Sequence, residues 1–186
     1  HTGQAGFLSD YWRAPLLMSY SEYYQARVMG SMMQEGGSWH MSDFFIRAGV
    51  TMETLEAMRD MRSSFTPSAD DTPLPKSYLR LSEGDTLKIG ANEWEIIVGT
   101  GHSPEHVCLY CKELRVFISG DQILPVITSN VSVHPTEPLA NPLSDWLDSH
   151  LKLMTLIPDD TLILPAHNEP FYGVRLRLQQ LIEHHE

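Results

Sequence analysis

Three apolar runs, each ending on a side chain of a metal-binding type, constrain this chain most. Glu93-Trp94-Glu95-Ile96-Ile97-Val98 reads as a strand and stops at Gly99-Thr100-Gly101-His102-Ser103-Pro104-Glu105-His106. Val116-Phe117-Ile118-Ser119-Gly120-Asp121 ends in Gly-Asp, and Thr161-Leu162-Ile163-Leu164-Pro165-Ala166-His167 ends in Pro-Ala-His. Glycine and proline break a strand, so the next side chain is presented at a sheet edge. His102, Asp121 and His167 delivered in this way suit a hard-to-borderline divalent cation, which takes imidazole nitrogen and carboxylate oxygen.

The bulk numbers bound the rest. A chain of 186 residues suffices for one domain with its own core, and an apolar content of 42% is that of a globular protein. No apolar run approaches the roughly 20 residues that span a bilayer, so no membrane partner is expected. The formal net charge of -11 lacks the basic footprint that a nucleic-acid partner requires. A phosphate-bearing small molecule stays compatible, because bound cations invert the local field. His1-Thr2-Gly3-Gln4 carries neither a basic nor an apolar leader, which makes the cytoplasm the expected compartment. Cys108 and Cys111 lie three apart in a strand-like run and so face opposite sides. They read as packing residues, neither bridging nor chelating together.

The first third of the chain has helical spacing. Tyr20, Tyr23, Tyr24, Val28, Met32 and Met33 predict a helix over 19–35, closed by Gly36 and Gly37. Ser42 is expected to cap a short helix through Phe44, Phe45 and Ile46 that ends at Gly49. Thr51 is expected to cap another, with Met52, Leu55, Met58 and Met61 on one face. Residues 66–75 are a loop by composition. Strands are expected at 78–81, 86–89, 93–98, 106–111, 115–119 and 161–164. A helix near 142–156 opens on Pro142 and is expected to bury Trp146, Leu147, Leu151, Leu153 and Met154. A last helix starts near Val174 and carries Leu176, Leu178, Leu181 and Ile182.

The ordered set Gly-x-Gly-His-Ser-Pro-x-x-His, Ser-Gly-Asp and Pro-Ala-His resembles the metallo-β-lactamase superfamily of hydrolases, over most of the stretch from Asp85 to Glu169. The lead-in Glu83-Gly84-Asp85-Thr86-Leu87-Lys88-Ile89-Gly90 looks like the same family. The resemblance implies an α/β fold, the C-terminal portion of an αββα sandwich. It implies a single domain over 1–186 that is incomplete at its N-terminus, with a helical insertion at about 10–75. The family's leading His-x-His-x-Asp-His is not found here, and His1-Thr2-Gly3-Gln4-Ala5-Gly6 looks like its last histidine and the helix start beyond it. The chain therefore reads as part of a longer protein.

Carried over residue by residue, His102 matches a ligand of a first metal site, Asp121 the carboxylate bridging two metals, and His167 a ligand of the second site, joined by His1. The implied cofactor is zinc, one or two ions in the intact protein, with iron or manganese as alternatives. Metal occupancy in this chain is expected to be weak or absent, since a zinc site wants three or four fixed ligands. Asp121 is thereby also the catalytic candidate. His106 repeats the family's Gly-His-x-x-x-His spacing and reads as a hydrogen-bonding or packing residue behind the metal. His134 falls in a surface loop after Asp121, and Asn168-Glu169 follows His167 on the same rim. His40 beside Trp39 reads as structural, and the methionine-rich helices as core or a dimer face.

The expected activity is hydrolysis of a small ester, thioester or lactone by a metal-bound hydroxide, because a divalent metal brings the pKa of bound water to about 7. No Gly-x-Ser-x-Gly elbow or nucleotide-cradling loop supports another hydrolase class. The alternative is a non-catalytic structural fragment or assembly module, in which a second copy covers an exposed half-sheet as a homodimer.

Overall fold

The computed structural model describes residues 2–32, 39–63 and 74–185. His1, the helix stop at Gly36 and Gly37, and positions 66–73 of the expected loop lie outside them. In chain order the elements are α1 (Ala5–Trp12), β1 (Leu17–Met18), α2 (Tyr20–Met32), α3 (Trp39–Arg47), α4 (Met52–Ser63), β2 (Leu79–Arg80), β3 (Thr86–Ile89), β4 (Asn92–Gly99), β5 (His106–Cys111), β6 (Val116–Gly120), α5 (Pro142–Leu156), β7 (Leu162–Pro165) and α6 (Val174–Glu183). The fold is α/β with a mixed sheet, as expected. The chain divides into two compact units, one of residues 1–17, 23–79 and 133–140, the other of 18–22, 80–132 and 141–186.

The second unit is built on a five-stranded sheet in the order β3-β4-β5-β6-β7. β3 to β6 pair antiparallel in sequence, and β7 pairs parallel to β6. A parallel return needs a crossover, and α5 lies in it. This topology places the site. β4, β6 and β7 run in one direction, so their C-terminal ends, carrying His102, Asp121 and His167, reach the same sheet edge. β5 runs the other way and contributes its first residue, His106, to that edge.

β3 and the start of β4 alternate polar and apolar, whereas β6 and β7 are apolar on both faces. On one face Ile97, Cys108, Tyr110, Phe117 and Ile163 pack with Trp146, Leu153 and Ile157 of α5 and Val174, Leu178 and Leu181 of α6. Burying each large apolar side chain contributes about 1.5–3 kcal/mol. The other face carries Ile96, fully buried, with Val98, Val107, Leu109, Ile118 and Leu164 half-buried around it. Asn141 caps α5, its side chain accepting from the Ser144 amide, with Pro142 in the first turn. Leu151, expected inside, is exposed, as is Leu176 on α6. The helical period gave a stripe, and only its centre is covered. Both cysteines are free and fully buried, and burial pushes the Cys108 thiol up to about 12.

In the first unit, Tyr23 stacks on Tyr78 at 4.0 Å and its hydroxyl donates to the Pro75 carbonyl at 2.8 Å. Thr51 caps α4 as expected, accepting from the Thr54 amide at 3.2 Å. Ser42 does not cap α3, which already begins at Trp39. Leu55 is buried, while Met52, Met58 and Met61 are exposed, so the methionine face is not core within this unit. His40 stacks on Trp39, and His134 lies in an exposed turn closed by the Glu137 amide on its carbonyl. Among the described residues no helix is long and apolar enough to cross a membrane.

His150 of α5 is fully buried against Trp146, with Nε2 donating to the Gln122 carbonyl at 3.0 Å. Burial lowers its pKa from 6.5 to about 4; the hydrogen bond to Gln122 pulls the other way, and the smaller repulsions from His185 and Arg177 add to the lowering. The folded state thus favours the neutral ring. Its stabilising contribution is whole above the unfolded value and is lost as pH falls from 6.5 toward 4. Urea midpoints should therefore drop on acidification by the equivalent of about 3 kcal/mol from this residue alone. A His150→Gln variant should show a shallower decline over the same window, and an equal decline in both proteins would refute the assignment.

Candidate metal centre

At the shared sheet edge Asp121 occupies the first position after β6, and its side chain is 7% exposed. His167 Nε2 lies 3.2 Å from its Oδ1, and His102 Nε2 lies 3.7 Å from its Oδ2. Each carboxylate oxygen thus faces one imidazole. His102 is oriented by Nδ1–H donating to the Asn130 carbonyl at 2.8 Å, which leaves its Nε2 lone pair turned toward the carboxylate. An imidazole lone pair and a carboxylate oxygen turned toward one space are both donors to a cation. His167 is half-exposed and is followed by Asn168 at φ 67, the left-handed turn that carries the chain away from β7.

His106 does not face Asp121 as a ligand would. Its Nε2 accepts the Asp121 main-chain N–H at 3.0 Å. An accepting Nε2 puts the proton of the neutral ring on Nδ1, which lies 3.8 Å from Cys108 Sγ. Burial, then the neighbouring His102, lowers the His106 pKa and keeps the ring neutral and able to accept. The Asp121 carbonyl accepts from the Ser129 hydroxyl, so the peptide groups on both sides of the carboxylate are pinned.

Glycines clear the ground for this packing. A Cβ at Gly120, whose φ is +53, would fall 2.4 Å from His106 Cε1, and one at Gly101, φ +96, would fall 2.3 Å from Trp146 Cβ. Both positions need a backbone that side chains disfavour as well as empty space.

The donors match a borderline divalent cation in kind: two imidazoles and a carboxylate, one ring already fixed in its tautomer. In number they fall short. His102 with Asp121 and His167 with Asp121 give two donors to each position. No group of three or more His, Cys, Asp or Glu among the described residues is arranged to hold an ion. His1 lies outside the described residues, and Glu169 is exposed beyond His167. The spacing patterns did not reveal Asn130, Ser129, Gln122, Ser149 or His150, which orient the edge from behind. The strand-end glycines, read only as strand breakers, are the one sequence signal that borders these residues.

Gly120→Ala is expected to cost about 1–3 kcal/mol of stability, from left-handed strain plus displacement of the His106 ring. Urea unfolding checks this, and a loss below about 0.5 kcal/mol, the level of an ordinary surface substitution, would contradict it.

A sequence model of the Metallo-beta-lactamase superfamily matches residues 1–167. The structure of a beta-lactamase domain protein from Burkholderia ambifaria matches 98% of the chain at a TM-score of 0.77 and 40% identity, with 51% of that protein covered. A hydroxyacylglutathione hydrolase of Cereibacter sphaeroides is 26% identical over 142 residues, 73% of this chain and 51% of the relative. An acyl-coenzyme A thioesterase of Gallus gallus is 30% identical over 98 residues, 52% of this chain and 33% of the relative. The chain thus spans about half the length of the first two proteins and a third of the last. With a match reaching from the first residue through His167, and the edge-forming strand order to go with it, the chain belongs to the metallo-beta-lactamase superfamily.

Proposed function

We propose that this chain carries part of the active site of a metal-dependent hydrolase acting on a small ester, thioester or lactone, thioesters first. One observation carries the reading: two imidazoles from different strand ends face the two oxygens of a single buried carboxylate. The relatives' activities, on a hydroxyacylglutathione and an acyl-coenzyme A, support the thioester class.

On this reading His102 and Asp121 hold one cation and His167 and Asp121 another, each needing further donors, with His1 a candidate for the second. Zinc fits the nitrogen and oxygen donors, with iron or manganese the alternatives. When bound, such a cation supplies an acyl-oxygen Lewis acid and brings water to a pKa of about 7. The chain's own residues do the rest. Asp121 offers both oxygens from a nearly water-free position, Asn130 holds His102 in the tautomer that leaves Nε2 open, and neutral His106 fixes the Asp121 peptide. The net reaction adds water across the acyl bond and releases an acid and a thiol or alcohol. Two free, buried cysteines suit a reducing compartment such as the cytoplasm.

A second reading, an assembly module without catalysis, draws on the half-buried apolar face formed by Val98, Val107, Leu109, Ile118 and Leu164. A homodimer would cover it, and a monodisperse monomer in light scattering counts against it.

Hydrolysis of a panel of thioesters, esters and lactones by the full-length protein tests the first reading. Activity should vanish on chelation, return with zinc, and fall at least about 100-fold in Asp121→Asn, the equivalent of roughly 3 kcal/mol of transition-state stabilisation. Undiminished turnover in the metal-free protein or in Asp121→Asn would overturn it. Metal analysis of the purified protein decides between zinc, iron and manganese.

A further inference from the structure

We propose that Gln122 is a positioning residue whose side-chain amide sets the separation between the turn carrying His102 and the turn carrying Asp121. The proposal rests on reading those two side chains as metal-facing. β4 and β6 are not neighbours, because β5 lies between them, so no backbone ladder ties their ends together. Gln122 does. Its Nε2 donates to the Thr100 carbonyl at 3.2 Å and to Ser149 Oγ at 3.1 Å. Ser149 Oγ also accepts from the Thr100 amide at 3.3 Å. Thr100 stands two residues before His102, and Gln122 one residue after Asp121, a Cα spacing of about 3.8 Å. The main chain of Gln122 is held as well, its N–H donating to the Ser119 carbonyl and its carbonyl accepting from His150 Nε2.

Packing alone does not account for this residue. Gln122 is fully buried, and its Oε1 has no hydrogen-bond partner among the described residues. A buried amide with an unpartnered oxygen is costlier than a leucine of similar volume. The fold also clears a seat for it: a Cβ at Gly99 would lie 2.4 Å from Gln122 Cδ and Oε1.

The test uses the full-length protein, with Co2+ affinity measured by chelator competition and the d–d absorption of bound Co2+ as a geometric signature. Gln122→Leu should weaken Co2+ binding by about 10–100-fold and alter the absorption. Gly99→Ala, which displaces the amide, should do the same. Gly99→Ala combined with Gln122→Ala should be no worse than Gln122→Ala alone, since the clash is then gone. Leu153→Val, in the same core, should lose stability and keep wild-type affinity and spectrum. Should Gln122→Leu fail to fold, Ser149→Ala decides, with a smaller loss of the same sign expected. Affinity within about twofold of wild type and an unchanged spectrum in these variants, with Asp121→Asn still abolishing binding, overturn the proposal alone. Binding indifferent to Asp121→Asn overturns it together with the reading beneath it.

Discussion

A carboxylate taken almost wholly out of water must be compensated, and at this sheet edge the compensation comes from side chains that arrive on other strands. Asp121 has an imidazole at each oxygen, and its peptide groups bond to His106 and Ser129. The cost of burying a charge without partners makes that arrangement all-or-none. The low dielectric that endangers the carboxylate also keeps His106 neutral, and only a neutral ring can accept the Asp121 N–H. Burial, protonation state and backbone position are therefore one condition.

Strand direction explains why such a cluster can exist in a chain where its members lie far apart. The mixed order sends three strand ends and one strand beginning to a common edge, and α5 carries the chain back for the parallel return. α5 has a second task, since Ser149 and His150 reach from the crossover into the turns that bear His102 and Asp121.

The strand ends were legible because their chemistry is local. Apolar runs that stop on glycine or proline mark strand ends, and the structure adds that Gly99, Gly101 and Gly120 also leave room for Gln122, Trp146 and His106. The role of His106 as a hydrogen-bonding residue followed from the family resemblance, whose Gly-His-x-x-x-His spacing it repeats. Gln122, Ser149 and His150 were not legible, because their meeting is made by tertiary packing and no spacing announces it. The same limit explains Leu151 and the methionines of α4. Helical periodicity gives the direction of a side chain, and the depth of cover depends on what lies opposite. Ser42 is a type of residue that caps helices, but α3 had already begun three residues earlier.

The opposite edge of the sheet is made of different material. There β3 and β4 join through a tight turn at Gly90, φ 63, and β5 and β6 through a turn in which Arg115, φ 51, donates its N–H back to Lys112. Surface ion pairs, Lys112 with Glu95 and Arg115 with Asp160, decorate this end. The sheet thus separates its chemistry from its hinges by the length of a strand. A change of length or charge at those turns would leave the backbone that spaces His102, Asp121 and His167 in place. Engineering of this chain therefore has one end open to redesign and one end where every side chain is committed.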